Sequence, residues 1–324
     1  MMRAAALLSS LLVLSACSSS PTIRTEAAPD LTEHEREMRA LDKERRDFDV
    51  TLLKLDQAID SYVQAVANRG EVRADNLATR LEKSIHDMVV DEGPVEIGKP
   101  ERPPGENYRR LLATATDGTD ARNQGIALAA LGFSGHSEVM PTILQGAQLD
   151  DPYLVDHAVL GLAVLRSPKT PPGVLGAVIL RRKHPEDGRC LAAWTLYRIQ
   201  EASESAAEIK AIWVRCLTEE RENVPPGVLV TAVRGLGLAR DPQHSALVAD
   251  YLKNPTPRVR MAAAIALARM NAQDHAADLI DLLGPQEAVQ NVRLCARKAL
   301  ADLAGGSDYG YDVTAWRKIF DRGR

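Results

Sequence analysis

Rings are scarce in this chain. Aromatic residues make up 4% of 324 positions, and only 3 are Phe. The apolar content, 45% of the chain, is carried by Leu and Ala, which fits helices packed through small side chains. A basic excess is also missing: 40 Lys and Arg face 44 Asp and Glu, for a net charge of -4. General nucleic-acid binding is therefore not expected. Beyond the first residues, no apolar run is long enough to span a bilayer. Catalytic signatures are absent too. Gly132-Phe133-Ser134-Gly135-His136 lacks the spacing of a nucleophile elbow and follows a helical pattern, not a strand. Gly235-Leu236-Gly237 has no third glycine for a dinucleotide loop. The histidines at 34, 86, 136, 157, 184, 244 and 275 stand singly, without metal-ligand spacing. No catalytic residue, metal or cofactor is expected.

What is present begins with a leader. Arg3 precedes a short apolar segment over 4–15, which ends in Leu14-Ser15-Ala16-Cys17 and the polar run Ser18-Ser19-Ser20-Pro21. These features resemble the lipobox of bacterial lipoproteins; the other reading is an ordinary secretory signal with a chance Cys. The resemblance implies cleavage of residues 1–16, a diacylglycerol on Cys17 as the one covalent group, and a bacterial cell-envelope location. Ser18 stands where Asp would be the inner-membrane retention signal. That favours the outer membrane, facing the periplasm. Each acyl methylene buried in the bilayer contributes roughly 0.8 kcal/mol, so the membrane contact is through the anchor alone.

Residues 17–30 read as a disordered tether, and the pattern changes at Leu31. Leu31, Met38, Arg45, Leu52, Ile59 and Val66 share one heptad position; His34, Leu41, Phe48, Leu55 and Tyr62 share the other. The alternation predicts a long helix of about 55 Å with a coiled-coil seam, flawed at His34 and Arg45. Arg69-Gly70 supplies a stop, and Val72, Leu77, Leu81, Ile85 and Met88 make a second amphipathic helix. Residues 31–91 thus form a helical hairpin, or else the first helix pairs with that of a second copy over 31–66. The prolines at 94, 100, 103 and 104 mark 92–105 as a linker.

From 106 to 324 the chain repeats itself. An Ala precedes a Leu by four residues six times: Ala127/Leu131, Ala158/Leu162, Ala192/Leu196, Ala232/Leu236, Ala263/Leu267 and Ala296/Leu300. Such pairs share one face of a helix, and spacings of thirty to forty residues suit one helix pair per repeat. The second helices show apolar stripes such as Ile209/Trp213/Leu217 and Leu247/Tyr251/Leu252. Asp151-Pro152, Asp241-Pro242 and Thr256-Pro257 read as helix starts, and Ser137 as a cap. Residues 219–227 read as a longer loop. Seven residues before the step leucine, three repeats place Arg189, Arg260 and Arg293, expected to bond carbonyls or acids of an adjacent repeat.

Two stretches, Pro257-Arg258-Val259-Arg260-Met261-Ala262-Ala263-Ala264-Ile265-Ala266-Leu267-Ala268 and Asn291-Val292-Arg293-Leu294-Cys295-Ala296-Arg297-Lys298-Ala299-Leu300, resemble the first helix of HEAT repeats. Gly235-Leu236-Gly237-Leu238-Ala239-Arg240-Asp241-Pro242 resembles their inter-helix turn. The resemblance covers about residues 120–320 and implies an α-solenoid of about six helix pairs; with the helical hairpin or coiled coil read from the heptads, the chain is expected to be all-α. The end, Ser307-Asp308-Tyr309-Gly310-Tyr311-Asp312-Val313-Thr314-Ala315-Trp316, is similar to a tail of exported bacterial HEAT proteins. It reads as a cap over 307–324, Asp312 starting a last helix with Tyr311 and Trp316 as a hydrophobic staple. Ligand binding at Gly310-Tyr311-Asp312 is the other reading.

Cys190 and Cys216 fall level across one predicted hairpin, as a disulfide or as two buried thiols; Cys295 reads as packing. Arg181, Arg182 and Lys183 read as solvated cations at a helix C-terminus, or as a patch on the array's inner surface that meets an acidic partner or anionic glycan. The function expected is a lipid-anchored scaffold whose solenoid binds a protein partner in the envelope without catalysis. The alternatives are a lyase-type enzyme or ligand carrier, and a structural protein self-associating through 31–66.

Overall fold

The computed structural model describes residues 32–67, 72–91 and 105–321. The expected signal peptide and tether, Cys17, the Arg69-Gly70 stop and the linker prolines lie outside the described residues. Among the described residues all regular structure is helical, fifteen α-helices with short 3-10 turns. No described helix is long and apolar enough to cross a membrane.

The chain divides into two compact units, Met1–Asp47 and Phe48–Arg324. In the first, the described residues are the opening turns of α1 (Glu33–Ala67). Thr32 and Glu35 cap it reciprocally: the Glu35 N–H donates to Thr32 Oγ1 at 3.3 Å and the Thr32 N–H to Glu35 Oε2 at 2.9 Å, a capping box. The expected seam is unfilled here, with Met38 47% and Leu41 58% exposed.

The second unit begins inside α1, and from here the seam is used. Leu52, Leu55, Ile59 and Tyr62 are buried within their own chain. The Tyr62 ring meets Phe133 edge-on at 5.1 Å, and Asp56 accepts from Arg122 Nη2 at 2.7 Å. A seam closed this way cannot also close on a second copy. Of the 31–66 stretch expected to pair with a second copy, the apolar stripe over 48–66 is thus covered within the chain, and Met38 and Leu41 are its exposed part.

α2 (Val72–Val90) and α3 (Glu106–Thr116) flank the linker, yet they pack on each other, α2 also on α4 and α3 on α5. They stand as a lead pair of the array rather than as a separate hairpin. The six repeats follow as α4 (Ala121–Gly132) with α5 (Met140–Ala147), α6 (Pro152–Leu165) with α7 (Pro172–Leu180), and α8 (Glu186–Ile199) with α9 (Ala206–Leu217). Then come α10 (Pro226–Ala239) with α11 (Ser245–Asp250), α12 (Pro257–Arg269) with α13 (Ala276–Asp281), and α14 (Gln290–Leu303) with α15 (Val313–Asp321). First helices pack in chain order, α4 on α6, α8, α10, α12 and α14 successively. Second helices form their own row, α3 on α5, α7 and α9, and α13 on α15.

The Ala–Leu steps explain the first row. All six alanines and all six leucines have no exposed surface. Contact is closest between α4 and α6. A Cβ on Gly132 would collide with the Gly161 backbone, and one on Gly161 with the Leu128 carbonyl. Both obstacles are main chain, which cannot step aside without moving a helix.

Gly161→Ala and Gly132→Ala are thus expected to destabilise the protein by about 1–3 kcal/mol each. Gly118→Ala, where nothing stands within 4 Å of the added methyl, serves as the control. Thermal unfolding followed by circular dichroism checks this; equal midpoints for all three would contradict the packing account.

Candidate partner-binding site

The basic run at the end of α7 was a candidate from sequence. Arg181 Nη1 donates to the Leu149 carbonyl at 2.9 Å, and Arg182 Nη2 reaches Glu220 Oε2 at 3.4 Å. His184, buried, bonds Asp156 Oδ1 through Nε2 at 2.7 Å. Gly188 leaves room for that pair, since a Cβ there would strike both partners. Of the three cations, Lys183 alone stands exposed with no ion partner among the described residues. Arg181 is turned to the Leu149 carbonyl, while Arg182, 66% exposed beside Glu220, and Lys183 are the two solvated cations of the run.

A second set is built on one position of the first helices, seven residues before the step leucine. In α4 this is Gln124, whose Nε2 donates to the Ala115 carbonyl at 3.1 Å. In α8, buried Arg189 donates from Nε to the Ile179 carbonyl at 2.7 Å and from Nη2 to the Asn223 carbonyl at 2.9 Å. In α12, Arg260 donates from Nη1 to the Asn254 and Pro255 carbonyls. Its Nε and Nη2 form a fork on Glu287 at 2.7 and 2.8 Å. The two arginines thus bind backwards to the preceding helix end or loop and forwards to the loop of the next repeat. Burial pushes the Glu287 carboxyl up, but the Arg260 bond, the Val289 N–H and the Arg260 charge outweigh it and hold it below the usual range. The sequence placed Arg189 and Arg260 here but gave no sign of Gln124, whose neutral amide does the same backward job.

The array ends in α15. Asp312 accepts from the Thr314 and Ala315 N–H groups, and fully buried Trp316 donates from Nε1 to the Gly310 carbonyl at 3.0 Å. The staple is corrected. Tyr309, not Tyr311, stands edge-on to Trp316 at 5.0 Å. Gly310 takes a φ of +64°, which turns the chain so that its flanking tyrosines face differently. Tyr311 lies beneath two guanidinium groups, Arg293 at 5.1 Å and Arg297 at 5.3 Å, and is 40% exposed.

Cys190, Cys216 and Cys295 are free thiols. The Cys190–Cys216 disulfide is thereby corrected: Cys190 Sγ turns to α10, close against Gly227, while Cys216 is wholly buried in α9. Burial pushes the Cys216 thiol up to about 12. Burial, with Glu186 and Asp187 adding to it, also raises Cys190. Neither is an activated nucleophile. Cys190 lines a largely apolar cavity of about 610 Å³ with Tyr62, Val66, Leu160, Leu191 and Trp194. The Tyr62 hydroxyl is buried without a hydrogen-bond partner among the described residues. No group of three or more His, Cys, Asp or Glu is placed to hold a metal among the described residues.

Residues 216–301 match the family model for HEAT repeats. That segment is a HEAT-repeat array. It spans α10 to α14, narrower than the 120–320 suggested by sequence, and the earlier pairs continue its rows by packing. No curated protein matches by sequence. Among solved structures, an engineered protein is 18% identical over 63% of this chain and 98% of its own, with a TM-score of 0.45. The complex of CpcE and CpcF of phycocyanin lyase from Nostoc is 18% identical over 80% of this chain and 92% of that one, at 0.37. Human deoxyhypusine hydroxylase is 15% identical over 79% and 98%, at 0.32.

Arg260→Gln is expected to cost about 3–5 kcal/mol, because it strands the buried Glu287 carboxylate. In the wild type, the folded carboxyl is depressed. The pair's contribution is present above the unfolded carboxyl range and is lost as pH falls through the lower folded value. Urea unfolding from pH 7 to pH 3 should show the two proteins converging in acid; a constant gap would contradict it. Native Cys216 should resist iodoacetamide at pH 8 and react once denatured, with no change after prior reduction. Mass spectrometry reads both, and a reduction-dependent site would restore the disulfide.

Proposed function

We propose that this protein is a lipid-anchored scaffold of the bacterial envelope, tethered through Cys17, whose helical array binds a protein partner without chemical turnover. One observation carries the reading: the array's polar side chains are spent on neighbouring repeats, not converged on a reaction centre. Besides the arginine bonds, Lys210 Nζ reaches Asp241 at 2.7 Å, the Tyr251 hydroxyl donates to the Leu217 carbonyl at 2.6 Å and Gln200 Nε2 donates to the Gly235 carbonyl at 2.8 Å. Each bond joins residues about one repeat apart. Such bonding stiffens a long surface and leaves it available for recognition. The composition, without basic excess, fits a protein partner better than nucleic acid. The leader motif supports export, acylation and an outer-membrane address facing the periplasm.

In cells, Cys17→Ser should move the chain from the membrane to the soluble envelope fraction. Crosslinking of the wild type in intact cells should attach the same protein reproducibly. A chain that stays in the membrane fraction after Cys17→Ser, or crosslinks to nothing reproducible, would defeat this assignment.

A further inference from the structure

The position seven residues before the step leucine behaves as a rung in every repeat where it is polar, except the last. Gln124 and Arg189 bond backwards to the Ala115 and Ile179 carbonyls. Arg189 and Arg260 bond forwards to the Asn223 carbonyl and the Glu287 carboxylate. Arg293 occupies the same position in α14 and makes neither bond among the described residues; its Nε is buried with no hydrogen-bond partner. Its one neighbour of note is the face of Tyr311. After α14 the chain runs through 304–312, and there it brings the face of Tyr311 to Arg293 in place of a carbonyl or carboxylate oxygen.

The surroundings do not fill the gap. Asp308 is engaged by a fork from Arg297, with contacts of 2.7 to 3.0 Å. Asp312 is occupied by two backbone N–H groups, and Asp281 lies 3.5 Å from Arg317. Meanwhile Tyr309 and Tyr311 are 38% and 40% exposed, unlike most large apolar side chains of the array. A half-buried guanidinium with no protein hydrogen-bond partner among the described residues, beside exposed tyrosines, has the composition of an interface hot spot.

We infer that the C-terminal end of the array, at Arg293 and Tyr311, is a docking site for an extended, carboxylate-bearing segment of a partner protein. The incoming carboxylate meets the outer Nη groups of Arg293, the part of the guanidinium left open to solvent, and the segment's backbone lies along Tyr311 and Tyr309. Planar, bidentate recognition of this kind selects a carboxylate and a guanidinium together. The inference rests on the protein-binding reading above and adds to it the chemistry and location of the contact.

The test uses the full chain purified in detergent and a fluorescein-labelled peptide of alternating Gly and Glu, with a Gly/Gln peptide as control. Fluorescence anisotropy is expected to show binding of the Glu peptide alone, weakened about tenfold or more in both Arg293→Gln and Arg293→Lys. Thermal unfolding without peptide separates docking from a structural role. Arg260→Gln should lower the midpoint markedly, whereas Arg293→Gln should leave it within about 2 °C. Equal peptide affinity in wild type and Arg293→Gln would overturn the inference, as would no binding to either peptide. Binding of phosphatidylglycerol vesicles in place of the Glu peptide, abolished by Arg293→Gln, would overturn it in favour of a lipid headgroup. Whole-cell crosslinking of Arg293→Gln distinguishes the two proposals. A partner attached to wild type and variant alike leaves the scaffold standing and removes this site; no partner on either removes the scaffold.

Discussion

Wherever α4 and α6 meet, or α10 and α12, a methyl or a bare glycine stands where a longer side chain would hold the helices apart. Gly237 sits against Ala266 across the second of these contacts as Gly132 sits against Gly161 across the first. Main chain approaching main chain fixes the separation of the first helices more narrowly than leucine packing does, because a backbone has no rotamers with which to adjust. The second helices then inherit their spacing. So do the loops, which arrive within reach of one polar side chain per repeat. Where α9 and α10 meet, Trp213 replaces the small-residue contact: its indole lies on the bare face of Gly235, and Gln200 ties both, accepting from Trp213 Nε1 at 2.9 Å and donating to the Gly235 carbonyl.

This constraint accounts for the electrostatics as well. With the helices held so closely, the carbonyls at the ends of α3 and α7 are shielded from water and need donors from elsewhere. Gln124 and Arg189 supply them. Around α12 the preceding loop supplies the carbonyls and Glu287 the counter-charge, so the Arg260 guanidinium is satisfied on both sides. The buried charges are therefore consequences of close packing, and they sit at joints between repeats.

The six Ala–Leu steps were legible because close packing forces a small residue at a fixed place, and that leaves a mark in composition. The fate of α1 was not. Its heptads announce an apolar stripe but say nothing of whose surface covers it, and the covering came from Phe133 and its neighbours, some seventy residues on in the chain. Helix ends were read unevenly. Asp151 and Asp241 do cap their helices, but Thr256 makes no side-chain cap bond and Ser137 falls within a 3-10 turn whose cap is His136. Arg166 and Arg240 close α6 and α10 in the left-handed region, where sequence reasoning looks for glycine. Cys190 and Cys216 were read as facing each other, but the direction a side chain takes around a helix depends on the third helix nearby, here α10 with Gly227. Tyr309 and Tyr311 exchanged roles for a similar reason, one positive φ between them.

The reach of the polar bonds carries a consequence for how such a chain changes over generations. A tie that spans one joint knows nothing of the joint beyond it. A block duplicated between α10 and α12 would meet familiar neighbours on both sides, and a block lost there would leave matching faces to rejoin. Length is then cheap to vary, whereas the cap, where Asp312 and the Gly310 carbonyl hold α15, repeats no joint of the array and has no second copy among the described helices.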